Sequence, residues 1–442
     1  MRGVRPFLAL LVVAAGVGWW AYRDSTRAPV TDAPKHDKVF TVEADTIDEV
    51  TVKSENGDKT TLRKTGSEWE IVGPVAARSD AAEASGITSN LASMEIQRVI
   101  DEAPADLKEY GLAEPRIEVS FKSGGQEHRL LIGQKTPPGS DLYAKLADQK
   151  KVFLVPSYLE STFNKSTFDL RDKSVLKVEQ DKIDSLEITT GGATTRFVKT
   201  GGEWQIAQPA EGRADYGMVD ALVGRIATAQ MKALTAAEPA SVKEYGLEKP
   251  AASARIGTGS SQALLLFGTN AGEGAVYAKD AARPAVFTID ASLVDDLKKD
   301  AGDYRQKDLF DARTFNATRV EVTRDGKTVA FEKTQTKGPD GNVDTWKQVL
   351  PTPRDVDNAK VDALVSAATS ARALGFVAST DKTGLDKPRL TVAITTDPGK
   401  TERVSFAQSG ADSYAARAGS PGAATVDSTT IDAIVTALED IK

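Results

Sequence analysis

The chain has 442 residues, 40% of them apolar and 27% charged, with a formal net charge of -7. That is room and composition for about three soluble globular domains, and an acidic balance without a basic stripe argues against a nucleic-acid partner. Cysteine is absent, which removes disulfides, thiol catalysis, cysteine metal sites and a lipidated cysteine.

At the N-terminus, Arg2 and Arg5 precede an uncharged run from Phe7 to Tyr22 that ends in Trp19, Trp20 and Tyr22. A basic flank before an apolar run is an export signal, and bulky aromatics at its far end suit a membrane interface better than a peptidase site. We expect residues 1–22 to be a retained signal anchor, with the arginines cytoplasmic and the rest of the chain outside. Residues 23–38, RDSTRAPVTDAPKHDK, carry almost no apolar side chains and read as a flexible linker.

The remainder is a tandem repeat. LKEYGLAEP, Leu107 to Pro115, returns as VKEYGLEKP, Val242 to Pro250, and in eroded form as DKTGLDKP, Asp381 to Pro388. Tyr110 and Tyr245 stand 135 positions apart, and Gly246 and Gly384 stand 138 apart, so the period is that of a domain. A helical turn that ends in Gly and is soon followed by Pro is a stop signal. Gly111 and Gly246 are expected in the left-handed conformation, with Leu112 packed on Leu107 and Leu247 on Val242.

Three modules follow from this period: residues 39–173, 174–308 and 309–442. The first opens on Ile47 to Val52, which alternates apolar and polar as a half-buried strand does. An Asn56-Gly57 turn and a strand centred on Trp69 and Ile71 come next. Asp80 is placed to cap a helix carrying Ile87, Leu91 and Met94 on one face. After the glycine turn come strands at Ile117 to Phe121, Arg129 to Ile132, Leu142 to Leu146 and Val152 to Val155, then a last helix opening near Ser157. His128 is expected to be an exposed strand residue.

The second module repeats the plan. Ile183 to Ile188 matches Ile47 to Val52, Trp204 matches Trp69, and Asp215 caps a helix with Met218, Leu222, Val223 and Ile226 inward. Asp290 caps a closing helix with Leu293, Val294 and Leu297. Both modules end in a similar seam, LRDK at Leu170 to Lys173 and YRQK at Tyr304 to Lys307, which makes Arg171 and Arg305 candidates for hydrogen bonds between modules. The third module diverges most, with an insertion, TKGPDGNVD, before Trp346. Val361, Leu364, Val365 and Ala368 mark its first helix. Asp427 caps a terminal helix bearing Ile431, Ile434, Val435, Leu438 and Ile441, which leaves no room for a further domain. The expected fold class is α+β: three tandem antiparallel-sheet-plus-helix modules of about 135 residues after an N-terminal membrane anchor.

Chemical motifs are sparse. The two histidines, His36 and His128, are too scattered to make a metal site or a triad. Lys-Thr-Gly at Lys64, Lys199 and Lys382, with Ser379 to Lys382 spelling S-x-x-K, lacks the S-D-N partner of penicillin-binding proteins and reads as turn chemistry. Asp340, Asn342 and Asp344 have the spacing of a calcium loop, but Thr345 and Pro351 stand where glycine and glutamate are needed. Trp69, Trp204 and Trp346 share one repeat position and are expected to anchor cores. No residue is assigned a catalytic, cofactor-binding or metal-binding role, and the sequence names no reaction or ligand.

The IDEVTV strand, Trp69, the turn through Tyr110, Gly111, Leu112 and Pro115, the Gly133 strand, Tyr143 and Arg171 together resemble the bacterial family called domain of unknown function 4340. Their second-module counterparts carry the same resemblance, and the third module follows loosely, with Thr383 in place of the tyrosine. The resemblance implies an accessory partner of an ABC transporter of the gliding-motility type. The expected function is a membrane-tethered, non-enzymatic interaction protein on the periplasmic side of the bacterial inner membrane, with no cofactor. The alternative is an envelope glycan-binding or glycan-processing protein that uses carboxylates in a cleft between modules. An exposed apolar patch rimmed by polar groups favours the first, and an aromatic, acidic cleft the second.

Overall fold

The computed structural model describes Trp19 and residues 36–338, 341–397 and 399–441. The expected signal anchor, most of the linker and Asp340 of the calcium-spaced loop lie outside the described residues. Among the described residues no helix is long and apolar enough to cross a membrane.

The first module is one nine-stranded sheet. In chain order its strands are β1 (Ile47–Lys53), β2 (Lys59–Thr65), β3 (Glu68–Gly73), β4 (Ala77–Arg78), β5 (Arg98–Asp101), β6 (Ile117–Ser123), β7 (Gln126–Lys135), β8 (Asp141–Leu146) and β9 (Val152–Pro156). They lie side by side as β4-β3-β2-β1-β6-β7-β8-β9-β5. Every pairing is antiparallel. Alternation sets the inner face: Val50, Val52, Leu62, Val119, Phe121, Leu130 and Ile132 are all buried. The helix α1 (Ala81–Ser93) closes that face with Ala84, Ile87 and Leu91. The other two sheets have the same strand order.

The α+β expectation is therefore corrected: the described chain is mostly β. Each module spends nine strands on its sheet, and the first two have only one helix of 12 or 13 residues each, the third two of 12. The closing helix is a single turn in the first two modules, α2 (Leu159–Phe163) and its counterpart Ser292–Leu297, and reaches 12 residues only as Ser428–Glu439. The balance was missed because strands such as β4 and β5 are two and four residues long, too short to show a period. The N-terminal anchor in that expectation has no counterpart among the described residues.

Three smaller expectations also change. Met218 is exposed and Val219 takes the inward position beside Leu222, Val223 and Ile226. The helix starts one residue after Asp215, and that phase turns position 218 outward. His128 is half-buried, stacked on Phe121 at 4.9 Å between ring centroids. Asp290 accepts from the Ser292 amide just ahead of the closing helix, whose own cap position is Ala291. Asp80, Asp215 and Asp427 do cap their helices, as does Asp357.

The chain divides into two compact units, one ending at Lys173 and the other beginning at Ser174. In the first unit the outer edge of β4 is covered by the seam: the Asp80 amide donates to Leu170 O at 2.9 Å and the Asp172 amide to Arg78 O at 3.0 Å. In the second unit the Asp215 amide donates to Tyr304 O at 2.7 Å and the Gln306 amide to Arg213 O at 3.0 Å. One residue on, the same segment changes sheets. Lys307 O accepts from the Ala373 amide at 2.7 Å, and the Leu309 amide donates to Ala371 O at 3.2 Å. Residues 304–309 thus stitch an edge of the second sheet to the opposite edge of the third.

Candidate functional site

The repeated motifs turn out to hold one another. Gly111 and Gly246 are left-handed, with φ of 66° and 71°. Each ends its helical turn with paired bonds, Leu112 N to Leu107 O and Gly111 N to Lys108 O at 3.0 Å each, and the same pattern from Leu247 to Val242 and Gly246 to Lys243. The turn lies directly on the strand that carries Gly133 or Gly268. A Cβ on Gly133 would stand 2.1 Å from Tyr110 O, and one on Gly268 2.0 Å from Tyr245 O. Tyr110 packs on Tyr143 and Tyr245 on Tyr277, with ring centroids 5.1 and 5.0 Å apart.

The Lys-Thr-Gly lysines are also structural. Lys64 and Lys199 sit directly across the ladder from Trp69 and Trp204, as Lys333, which begins Lys-Thr-Gln, does from Trp346, while Lys382 lies in the glycine turn with φ of 61°. Lys199 and Lys333 lie over the indole rings at 5.4 and 4.8 Å. Trp204 and Trp346 are 1% exposed, and their Nε1 groups donate to Asp220 and Asp362 at 3.4 and 2.8 Å. Trp69 is half-buried against the first core. Ser379 accepts from the Asp381 amide within its own turn.

Arg305 keeps its hydrogen bonds inside its own module, donating to Glu211 O at 2.7 Å, while its guanidinium stacks 4.7 Å from the Phe376 ring of the third module. The expected bond between modules is thus a stacking contact. For Arg171, the backbone bridges to Ser79 of its own module, and burial pulls the guanidinium below the usual arginine range.

Bonds between the second and third modules come from residues not singled out in the sequence. Arg213 donates across the boundary to the Asp311 carboxylate and, within its own module, to Asp308 O at 3.2 Å. Arg417 donates to Asp311 Oδ2 and Glu402 Oε1 at 3.1 Å each, and to Leu309 O at 3.0 Å. The Glu402 side chain is 2% exposed, and its other oxygen accepts the Asp311 and Ala312 amides at 2.7 and 3.1 Å. Burial pushes the Asp311 carboxyl up, but Arg213 and Arg417 outweigh it and hold the group at about 2. Fully satisfied on both sides, this network is a junction.

Beside it lies an open cleft of about 1030 Å³ in the third module, lined by Phe315, Arg313, Lys333, Asp362 and Arg372 among others. Its floor is closed by the buried Trp346. The loop ahead of the first strand is pinned from several sides: Arg313 donates to Phe310 O at 2.7 Å and to Asp308 at 2.6 Å, Asn316 accepts the Arg313 amide at 2.7 Å, and Lys333 donates to Thr314 O at 3.2 Å. With both flanks tied down, Phe315 projects outward and is 85% exposed. Two residues before the buried residue at or just ahead of each module's first strand, Ile47, Ile183 or Ala317, stand Asp45, Asp181 and Phe315, so the aromatic belongs to the third module alone. Among the described residues no group of three or more His, Asp or Glu converges to hold a metal.

Two solved structures align over most of the chain at low similarity. A DNA polymerase sliding clamp from Pseudomonas aeruginosa is 9% identical over 88% of this chain and 92% of that one, with a TM-score of 0.16. The DNA polymerase III subunit beta from Pseudomonas aeruginosa is 10% identical over 87% and 93%, with a TM-score of 0.17. At such scores the likeness supports no argument about fold or function. None of the curated proteins matches the chain. The family model for a domain of unknown function, DUF4340, matches residues 69–203 and 204–388, starting each time on the repeated tryptophan, Trp69 or Trp204. With more than half of its length matched in two consecutive copies, the chain belongs to the DUF4340 family.

Proposed function

We propose that the protein is a membrane-tethered, envelope-facing interaction protein without enzymatic activity, an accessory partner of an ABC-type transporter. The observation that carries this reading is Phe315, an aromatic side chain 85% exposed on a pinned loop and rimmed by charged groups already paired within the chain. The glycan reading needs aromatic faces and carboxylates offered to a ligand. In the cleft, Trp346 is buried and Asp308 and Asp362 are engaged by Arg313, Arg372 and Trp346. The tether rests on the Arg2, Arg5 and Phe7 to Tyr22 pattern, with residues 23–38 as spacer. Tethering raises the effective concentration of a partner in the same membrane, so a small hot spot suffices.

A photo-crosslinking residue placed at position 315 in cells, followed by affinity capture, should recover transporter membrane subunits, and the yield should fall with Phe315→Ala in the competing untagged chain. Recovery of glycan strands instead, or turnover of an envelope substrate by the purified chain, would overturn the reading. Alkaline phosphatase fused after residue 40 should be active and membrane-bound; an inactive fusion would remove the tether from the proposal.

A further inference from the structure

The seams share a register. The amides of Val39, Val175 and Leu309 open their modules by donating to Met94, Ala229 and Ala371 O at 2.9, 3.0 and 3.2 Å. Counting back four residues from each gives Lys35, Arg171 and Arg305; counting back three gives His36, Asp172 and Gln306. In the second and third of these seams, the earlier half lies on a sheet edge, Arg171 bridging to Ser79 and Arg305 to Ala214.

The equivalent edge of the third sheet is Asp355–Asp357, since Asp355 pairs with Lys347 as Arg213 pairs with Gln205 and Arg78 with Glu70. Among the described residues no backbone pairs with its outer side. The Asp355 side chain is 91% exposed, against 37% for Arg78 and 25% for Arg213. The charge at this position is also reversed. Arg78 faces Asp172 at 3.3 Å, whereas the third edge presents Asp355, 3.6 Å from Lys347, and the segment ahead of Val39 has His36 where the first seam has Asp172, with Lys35, Asp37 and Lys38 alongside. Pro34 falls where Leu170 and Tyr304 contribute to the edge only a carbonyl, so its missing N–H costs no edge bond.

From this register and charge match we propose that the chain associates head to tail, residues 34–36 of one copy adding as a strand to the Asp355–Asp357 edge of a second copy. Strand addition supplies main-chain bonds, and Lys35 and Lys38 oppose the charge of Asp355, against which the first seam would set Asp172. Because the two surfaces differ, the contact does not close on itself and extends into a row.

The full chain has no cysteine, so two can be introduced cleanly. In detergent, an equimolar mix of Lys35→Cys and Val356→Cys chains should oxidise to a mixed disulfide dimer, and the double variant should give a ladder of multimers. Sedimentation should show concentration-dependent association of the parent, weakened about fivefold by Asp355→Arg, a loss of about 1 kcal/mol. Adding His36→Asp, which recreates the Arg78–Asp172 pairing, should restore it. A parent that stays monomeric, mixed crosslinks no more abundant than Lys35→Cys homodimers, or association indifferent to Asp355→Arg would each overturn the proposal. Asp355 is a solvent-facing side chain, so the variant's circular dichroism should match the parent and certify its fold.

Discussion

Gly133 and Gly268 are held by a carbonyl that lies some twenty residues upstream, not by their own backbone conformation. Gly111 could be anticipated, because a left-handed cap is a local property of helical turn, Gly, Leu and a nearby Pro. Gly133 could not, because the clash with Tyr110 O exists only once the turn lies on the strand. The third module shows the two features lost together: Thr383 replaces the tyrosine and Ala407 stands beside Gly384, its Cβ 3.5 Å from where that glycine's would be. We expect Gly268→Ala to cost about 1 to 3 kcal/mol by overpacking. Gly259→Ala, at a positive-φ turn with open space around it, should cost only about 1 kcal/mol. Equal urea midpoints for the two variants would refute the packing account. Glu402 had a readable signal, since it shares the inward alternation of Val404 and Phe406 in KTERVSF, where a charge is out of place. The Asp311 and Ala312 amides it accepts are about 90 positions away, and Arg213, which pairs with Asp311, about 190, and these have no such signal. Removing it as Glu402→Ala leaves Arg417 buried beside a lost partner, and should cost about 3 kcal/mol or more in denaturant unfolding.

Helix starts were legible at Asp80, Asp215 and Asp427, because an N-cap is written in one residue, whereas Asp290 falls one residue ahead of the cap position Ala291. Asp80, Asp215, Asp357 and Asp427 each accept amides from the first turn, at 2.9 to 3.2 Å. Asp215→Ala should cost about 1 kcal/mol, with Asp215→Ser recovering most of it; a neutral alanine variant would mean the second-module helix is fixed by its Val219, Leu222 and Ile226 face alone. Strand ends were less legible. The seam residues 170–172 and 304–306 form no strand of their own, yet each makes an isolated bridge along an edge strand, β4 or Gly212–Arg213, that is only two residues long. Such pairing depends on where the rest of the sheet puts the two segments, and no alternation within either one announces it. For the same reason the expected balance of helix and strand was wrong while most of the long strands were anticipated.

Across the whole molecule, the repeat was readable from three short copies of one turn, and the match to the family model begins at the repeated tryptophan, inside the sheet. What repetition hides is the place where copies differ, and the junction of the second and third modules is one such place. There Asp311 has a folded-state pKa of about 2 against an ordinary 3.8, because Arg213 and Arg417 outweigh its burial. A depressed carboxyl contributes stability that is present above its unfolded pKa and lost as pH falls through the folded one. The contribution is therefore complete above about pH 4 and fades between about 3.8 and 2. Arg213→Ala removes one of the cations and should let the Asp311 carboxyl rise toward its ordinary value. The thermal midpoint of the variant should fall furthest below the parent's at pH 5 to 7, and the gap should shrink as pH drops below about 4. Arg213 also joins the two sheets, so calorimetry near neutral pH should show the transition of residues 174–442 broadening or splitting in the variant while remaining single in the parent. A gap between parent and variant that is the same at pH 6 and pH 2.5 would show that Arg213 acts through packing alone and that the Asp311 charge does not couple the modules.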